Sequence, residues 1–529
     1  MNIRHFSQSL IFPVAGAATL ASCTSKAKIA EEIKPYNIVY IMTDDHTRQM
    51  MSSYDSRHIQ TPNLDRIANE GVIFSNAFVA NSISGPSRAC LLTGKHSHKN
   101  GKLDNHTAFD GEQQTVQQLL QGAGYETAII GKWHLDSEPT HFDHWEILPG
   151  QGSYYNPDFI TPAGNTKYDG YVTNIITDLS INWMENQRNK EKPFCLFLHH
   201  KAIHRNWMAD TPHLTLYEDK EFELPDNFFD DYSGRVAAAQ QEMSIASDHD
   251  MDIVNDLKMI RPGVKTRLSG AYEHGEYARL NAEQKAAWDN HYQPIIDQFY
   301  KDNPKGKELA KWKFQRYMTD YAKTVYSLDL NVGRVLDYLE ENSMLENTII
   351  VYTSDQGFYM GEHGWFDKRF MYEESFSTPL VMHLPPKFKR KGKVGELVQN
   401  IDFAPTMLDI AGVEIPSDIQ GVSLLPLLAE EKSPVGWRKS LYYHYYEYPA
   451  EHMVKRHYGI RTERYKLIHF YDDIDTWELY DLQNDIQEMH NLIGNPEYDA
   501  VVEELMKELK QLQEQYDDPI RERFPILTQ

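Results

Sequence analysis

Four short apolar runs, each ending abruptly in polar residues, constrain the fold of this chain more than any other feature. They are rich in β-branched and aromatic residues without polar alternation, which is typical of strands buried on both faces of a parallel sheet. The runs cover residues 37–42, 127–130, 194–198 and 348–352. Helical patterns lie between them, over residues 62–69, 115–121 and 317–341. This alternation predicts an α/β fold with a large doubly wound sheet, mixed but mostly parallel.

Polar side chains follow each run at the point where the strand is expected to end. In doubly wound sheets, ligands gather at the carboxyl ends of the strands, so these side chains are candidates for a functional site. The candidates are Asp44, Asp45, Lys132, His134, His204, Asp355 and Gln356, whereas His199, His200 and His469 are interpreted as structural residues. The carboxylates and the amide are hard oxygen ligands, a set that suits Ca²⁺ better than Zn²⁺.

The rest of the chain divides by composition. Residues 205–315 are charged, aromatic and poor in strand patterns, which predicts a helical and loop insertion within an α/β domain of residues 35–434. Residues 435–529 carry short aromatic runs between turns and predict a smaller antiparallel sheet, closed by an amphipathic helix over residues 498–516. Two residues of this sheet, His457 and Tyr458, are expected to close the far side of the site.

The first 34 residues have the pattern of an export signal followed by a tether. Residues 10–21 are mostly apolar and too short to cross a bilayer. The run from Leu20 to Cys23 resembles the end of a bacterial lipoprotein signal. It predicts a signal peptide at residues 1–22, a lipidated Cys23, and a tether at 23–34. The expected location is the cell surface or periplasm, with a simple secretory signal as the alternative.

The composition excludes several classes of protein. The 529 residues include 53 Lys and Arg against 77 Asp and Glu, and the net charge of −24 argues against a nucleic-acid binder. Three cysteines are too few for a disulfide framework in a chain of this length. Because the net charge is strongly negative, an anionic substrate needs a locally basic pocket.

The segment SGPSRACLLTG, from Ser84 to Gly94, predicts a helix that begins near Ser84 and ends at Gly94. Taken alone, it is compatible with Ser84 as a simple helix cap. The segment resembles the signature of the type I sulfatases, which belong to the alkaline-phosphatase-like superfamily. In that family the first position, Cys or Ser, is oxidised to formylglycine (3-oxoalanine), which places the modification at Ser84.

Six further segments match elements of the same family in the same order along the chain. They are the runs Tyr36–Asp45, Thr61–Arg66, Gly131–Leu135, Lys201–His204, Thr353–Gly357 and Gly364–Ser375. Three positions depart from the family pattern. Lys95 replaces the usual Arg, Ile203 replaces Pro, and Gln356 stands where many members have Asn or His.

The resemblance implies a sulfuric ester hydrolase with Ca²⁺ and a formylglycine made from Ser84 as cofactors. The implied metal ligands are Asp44, Asp45, Ser84, Asp355 and Gln356. The implied catalytic set is Ser84, Arg88, Lys132, His134, His204 and Lys368. Within that set His134 is the implied base, and His204 is the candidate acid for the leaving alcohol. In the family, a hydroxyl of hydrated formylglycine attacks sulfur, and the second hydroxyl helps expel sulfate.

Asp367 and Arg369 flank Lys368 and resemble a run that binds sugar hydroxyls in glucosamine-6-sulfatases. The resemblance therefore implies an exo-acting 6-O-sulfatase on glucosamine or N-acetylglucosamine residues of glycosaminoglycans. The expected partners are a sulfated oligosaccharide, a maturase that generates formylglycine, and the membrane through the lipid anchor. Nucleic acid is not among them, and the sequence leaves the oligomeric state open.

Four alternatives remain open from the sequence. Asp367 and Arg369 are also compatible with a simple ion pair at a loop surface. The substrate is alternatively an algal polysaccharide such as ulvan. A phosphodiesterase or phosphonate hydrolase of the same superfamily is a further candidate. The last is a non-catalytic glycan-binding lipoprotein in which Ser84 stays unmodified.

The lipid anchor has a direct test. We expect Cys23→Ala to release the protein from the membrane fraction, because the thiol is the acylation site. Ser25→Ala, two residues away, is the matched control and leaves the protein in the membrane fraction. Fractionation followed by immunoblotting measures both variants, and a Cys23→Ala protein that stays with the membrane contradicts the prediction.

Overall fold

The computed structural model describes residues 35–526. The predicted signal peptide at residues 1–22, Cys23 and the tether to residue 34 lie outside the described residues. None of the described helices is long and apolar enough to cross a membrane.

The strands carry the predicted α/β pattern. In chain order they are Asn37–Thr43 (β1), Val72–Phe74 (β2), Ala77–Phe78 (β3), Glu126–Lys132 (β4), His144–Leu148 (β5), Asp158–Thr161 (β6), Gly164–Lys167 (β7), Phe194–His199 (β8), Thr348–Ser354 (β9), Leu380–His383 (β10), Gly392–Val394 (β11), Val398–Gln399 (β12), Ser440–Tyr445 (β13), His457–Thr462 (β14), Tyr465–Phe470 (β15) and Thr476–Asp481 (β16). The four apolar runs of the sequence are β1, β4, β8 and β9, each within two residues of its predicted bounds.

The α-helices connect and cover the strands. They are Pro62–Glu70 (α1), Ser84–Thr93 (α2), Ser97–Asn100 (α3), Val116–Gly122 (α4), Val172–Asn182 (α5), Val236–Ala239 (α6), Ser269–Ala271 (α7), Ala282–Asp302 (α8), Gly306–Glu341 (α9), Glu373–Phe376 (α10), Phe403–Ile410 (α11), Leu425–Ala429 (α12), Asp499–Gln515 (α13) and Ile520–Arg523 (α14).

A ten-stranded sheet forms the main layer, in the order β11-β2-β10-β9-β1-β8-β4-β5-β6-β7. Its centre, from β9 to β5, is parallel, while β10 joins β9 antiparallel and β6 joins β5 antiparallel. Because the central strands are parallel, their carboxyl ends meet at one edge of the sheet. The predicted fold class, a mixed and mostly parallel sheet, is confirmed.

Side chains of β1 alternate between two hydrophobic cores, as the two-residue period of a strand requires. Val39 and Ile41 pack on the side covered by α1, α5 and α9. Ile38 and Tyr40 pack on the opposite side, covered by α4, α11 and α12. Burial on both faces explains why the run is apolar without alternation.

The long helix α9 begins eleven residues before its predicted start at Tyr317. The segment from Gly306 is charged on its outer face and was assigned to the insertion on that ground. Ala310 and Phe314 nevertheless belong to the core beneath it. This segment is therefore an amphipathic helix, and the charged residues of its outer face make its apolar stripe hard to recognise in the sequence.

The smaller sheet β13-β14-β15-β16 is antiparallel throughout and lies between a loop of the large domain and α13. Neighbouring residues of a strand point to opposite faces, so His457 and Tyr458 cannot both face the site. His457 Nε2 accepts a hydrogen bond from the Met371 N–H at 3.0 Å and supports the loop that carries Lys368. Tyr458 instead packs in the core beneath α13. The expectation for Tyr458 is therefore wrong.

Candidate active site

The helix predicted from the SGPSRACLLTG segment is α2, and Ser84 is its first residue. All ten of its residues are buried, and Gly94 ends it in the left-handed conformation with φ 65°. The Gly85 N–H of the first turn donates to Asn105 Oδ1 at 2.9 Å, and the Asn105 N–H donates to Glu447 Oε2 at 2.7 Å. The residues around Ser84 are thus held from outside the helix.

Three carboxylates gather at the ends of β1 and β9. Ser84 Oγ donates to Asp44 Oδ1 at 3.1 Å, and the Asp45 N–H donates to Asp355 Oδ1 at 3.2 Å. Gln356 joins them, because its Nε2 donates to Asp45 Oδ1 at 2.5 Å. At most 1% of the surface of each of these five residues is exposed. The structure thus brings together all five residues predicted to hold a metal.

Each buried carboxylate has its own cation. Lys132 pairs with Asp44, Lys368 Nζ lies 2.6 Å from Asp45 Oδ1, and Arg88 lies 3.0 Å from Asp355 Oδ2. These three cations are the basic residues predicted to bind sulfate. They supply the cationic side chains that an anionic substrate needs in a protein of net charge −24.

The residues present fit a calcium ion. Three carboxylates and one amide form an oxygen-only set, which is the chemistry that Ca²⁺ prefers. Gln356 Oε1 is buried and has no hydrogen-bond partner among the described residues, so one neutral oxygen ligand is available. His204 Nε2 lies 3.9 Å from Asp45 Oδ2, but an imidazole nitrogen is a softer ligand than calcium selects.

Charge crowding shifts the pKa values of this group. Burial raises the pKa of Asp45 to about 7, although the Lys368 ammonium opposes that rise. Burial also disfavours the charged form of Asp44, but Lys132 holds the pKa of Asp44 well below its usual range. Burial lowers the pKa of Lys132 to about 8. Burial also raises the pKa of Asp355, so the neighbouring cations compensate the charge of Asp44 more fully than that of Asp45 or Asp355.

The two histidines predicted for catalysis lie at the edge of this cluster. Burial lowers the pKa of both well below 6.5, and the Lys132 ammonium lowers that of His134 further. His204 Nδ1 lies 2.7 Å from Arg205 O, so this nitrogen carries the proton and Nε2 faces the carboxylates. The pair Arg205–Asp256, with Nε to Oδ1 at 2.6 Å, anchors the segment that carries His204.

Asp367 and Arg369 do pair with each other, but not at a loop surface. Both residues are only 5% exposed and stand on either side of Lys368. His452 Nε2 lies 3.2 Å from Asp367 Oδ2, the second oxygen of the same carboxylate. Burial disfavours the charged form of Asp367, but Arg369 holds its pKa well below the usual range. Asp367 is thus an ionised hydrogen-bond acceptor beside Lys368.

Sequence reasoning missed His452 and Gln151, which contact predicted site residues, and Asn105, which contacts Gly85 next to Ser84. Gln151 contacts both Lys132 and His134 through its side-chain amide. All three lie in loops that no predicted strand end or motif marks, so the sequence contained no pattern from which to find them. His199, His200 and His469 lie outside the carboxylate cluster, in agreement with their assignment as structural residues.

Comparisons with known proteins identify the family of this chain. The sulfatase family model matches residues 36–413, and a model described as N-sulphoglucosamine sulphohydrolase, C-terminal, matches residues 361–515. An N-acetylglucosamine-6-O-sulfatase of Bacteroides thetaiotaomicron is 53% identical over 515 residues, which cover 96% of this chain and 91% of that protein. An ulvan-active sulfatase of Formosa agariphila is 24% identical, over 93% of this chain and 83% of that protein.

One solved structure, of a protein in complex with its substrate D-glucosamine-2-N,6-O-disulfate, superposes with a TM-score of 0.88. The two chains are 52% identical, and the superposition covers 94% of this chain and 100% of the other. Fold and site together define a sulfuric ester hydrolase. The chain belongs to the sulfatase family.

Proposed function

We propose that this protein is an exo-acting 6-O-sulfatase for glucosamine and N-acetylglucosamine residues of glycosaminoglycans. The observation that carries the proposal is the position of Asp367 and Arg369, buried on either side of Lys368, whose ammonium contacts Asp45. Groups that pair with sugar hydroxyls thus lie directly beside groups that bind sulfate. The 53% identical relative named for this activity supports the same assignment.

The chemistry of a 6-sulfate suits this arrangement. The sulfate on a primary alcohol projects away from the ring, so the sulfate reaches Lys132 and Lys368 while O3 and O4 reach Asp367 and Arg369. An ionised carboxylate and a guanidinium complement two hydroxyls as acceptor and donor. A sugar that lacks those hydroxyls, or presents them differently, leaves buried polar groups unpaired.

The exo mode follows from the burial of the same groups. In a 1→4-linked chain, O4 of an internal residue is bonded to the next sugar. A site that encloses O4 with Asp367 and Arg369, each 5% exposed, leaves no room for that bond. The site therefore accepts the terminal residue at the non-reducing end.

We further propose that Ser84 becomes formylglycine and that Asp44, Asp45, residue 84, Asp355 and Gln356 hold Ca²⁺. When present, the metal supplies charge neutralisation at the sulfate, and formylglycine supplies the nucleophile. Arg88, Lys132 and Lys368 donate charge-assisted hydrogen bonds to residue 84 and to sulfate oxygens. The maturase and the lipid anchor at Cys23 belong to the same proposal.

His204 and His134 are the acid and the base in this scheme. The Nδ1–H of His204 is held by Arg205 O at 2.7 Å, which aims Nε2 into the site. Burial favours the neutral form of His204, and the negative charge of a bound sulfate ester favours its protonated form. His204 is then the acid that protonates the leaving sugar alcohol, while His134 serves residue 84 as base.

The modification of Ser84 has a specific signature. Peptide mass spectrometry of the natively produced protein is expected to find residue 84 lighter by two hydrogens, as oxidation of serine to an aldehyde requires. Ser84→Ala abolishes turnover without unfolding the protein. Unmodified serine in fully active enzyme contradicts this prediction, and an inactive unmodified protein favours the glycan-binding alternative.

Calcium is tested with Asp355→Asn, which keeps the size of the side chain and removes one charged ligand. We expect wild-type protein to bind one Ca²⁺ per chain and to gain thermal stability from it, whereas the variant loses both the bound metal and the activity. The control is Asp337→Asn, whose side chain is 58% exposed on α9. Metal analysis, thermal unfolding and turnover are measured together, and full activity after exhaustive chelation contradicts the prediction.

The substrate is tested by kcat/KM on 6-sulfated glucosamine, on 4- and 6-sulfated galactosamine, and on a sulfated ulvan oligosaccharide. We expect 6-sulfated glucosamine to be the best of these. Asp367→Asn is expected to lower its kcat/KM by about 10- to 100-fold, the usual effect of losing hydrogen bonds to a charged group. Asp178→Asn, at a position 59% exposed, is the control.

Two results decide against the sugar assignment while leaving the sulfatase class intact. One is a higher kcat/KM on ulvan or galactosamine esters. The other is unchanged turnover of 6-sulfated glucosamine by Asp367→Asn. Parallel assays on phosphate and phosphonate esters test the phosphorus-ester alternative, which predicts that those esters are turned over faster than sulfate esters.

A further inference from the structure

A tight turn projects one glutamine over the edge of the candidate active site. Residues Pro149–Gly152 follow directly on β5, and the Gly152 N–H donates to Pro149 O at 2.9 Å. Gly150 and Gly152 adopt positive φ values of 53° and 67°. A Cβ on Gly152 would lie 2.6 Å from Leu148 Cδ1, so the turn closes tightly on the end of its own strand. This shape aims the residue between the two glycines, Gln151, at the neighbouring strand β4.

The register of the sheet explains what Gln151 meets there. Leu148, the last residue of β5, lies beside Lys132, the last residue of β4. Lys132 Nζ donates to Gln151 Oε1 at 2.5 Å, and Gln151 Nε2 lies 3.1 Å from His134 Nε2. One amide therefore contacts both Lys132, at the end of β4, and His134, two residues further along the chain.

A second lysine holds the turn itself. Lys201 is 2% exposed, and its Nζ donates to the backbone oxygen of Gln151 at 3.2 Å. The same ammonium lies 4.8 Å from the centre of the Tyr154 ring. Lys201 is the first residue of the segment that ends at His204. Its hydrogen bond therefore also connects the turn to the segment that carries His204.

The contacts determine which way the amide faces. A lysine ammonium only donates, so the oxygen of the Gln151 amide must face Lys132. The NH₂ group then faces His134 Nε2 and only donates, so this ring nitrogen must be the acceptor. The proton of neutral His134 is thereby placed on Nδ1, which is buried without a partner among the described residues. As a base, His134 therefore takes up its proton at Nε2, in place of the hydrogen bond from Gln151.

We infer that Gln151 is a positioning residue for the sulfate-ester reaction, fixing the ammonium of Lys132 and the tautomer of His134 with one amide. The inference rests on the proposed function, since both residues act there on residue 84 and sulfate. Of the three N–H groups of Lys132, Asp44 and Gln151 occupy two. The third remains for a sulfate oxygen, with its direction set by the other two.

Gln151→Met and Gln151→Glu separate the two contacts. Methionine keeps the length of the side chain and removes both polar contacts. Glutamate keeps an acceptor for Lys132 but cannot donate to His134 Nε2 when ionised. Gln298→Met and Gln298→Glu, at an exposed position of α8, are the matched controls.

For Gln151→Met we expect kcat/KM to fall by about 10- to 100-fold, in line with small misplacements of reacting groups. The fall comprises a higher KM, because Lys132 is less well oriented for sulfate, and a lower kcat, because the His134 ring is free to turn. Both Gln298 variants keep wild-type constants. Thermal unfolding within about 2 °C of wild type shows that the fold is intact.

The pH profile of kcat/KM distinguishes positioning from a structural role. The charged groups around His134 are Lys132, Arg88 and Lys102, which disfavour its protonated form, and Asp44, which favours it. Gln151→Glu adds a carboxylate against Nε2, so the limb of the profile that reports His134 is expected to move to higher pH. Gln151→Met lacks that charge and is not expected to produce this shift.

Wild-type constants in both Gln151 variants overturn the inference, and so does a loss of rate in Gln151→Glu without the pH shift. Failure of the proposed sugar is a separate result. If wild type prefers another sulfate ester, the same constants and profiles are measured on that ester. The role of Gln151 is then tested on that ester, independently of glucosamine.

Discussion

The pairing of three buried carboxylates with three buried cations is the interaction on which the rest of this structure depends. Asp44, Asp45 and Asp355 meet because β1 and β9 are parallel neighbours whose carboxyl ends lie together. Leaving one partner of a buried pair without the other costs about 3–5 kcal/mol, so each cation must be delivered accurately to its acid. The folding of distant segments is therefore coupled to the assembly of this cluster of paired carboxylates and cations.

Contacts of the surrounding loops hold the segments that carry the site residues in place. Arg205 and Asp256 anchor the segment of His204, and His457 of the small sheet supports the loop of Lys368 through Met371. Asn105 connects the first turn of α2 to Glu447 in the C-terminal region. The C-terminal sheet thus supports the loop that carries Asp367, Lys368 and Arg369.

Much of the fold and most of the catalytic set could be predicted from the sequence. Asp44, Lys132 and Asp355 lie at or just after the ends of strands. An apolar β-branched run followed by polar residues is a local pattern, so it can be recognised without tertiary information. The start of α9 was missed because charged residues on its outer face concealed the apolar stripe of Ala310 and Phe314. His452 and Gln151 were missed because isolated polar residues in loops carry no periodicity and no motif.

The sequence by itself determined the class of the protein, through the segment from Ser84 to Gly94 and six ordered motifs, and it determined which residues follow the strands. Only the tertiary structure decided which acid meets which cation, because those partners are separated by 88 to 323 residues. It also decided that Asp367 and Arg369 are buried beside His452, and that one amide joins Lys132 to His134. Hydrophobic periodicity is a property of neighbouring residues, whereas hydrogen-bond partners are chosen by the packing of whole elements.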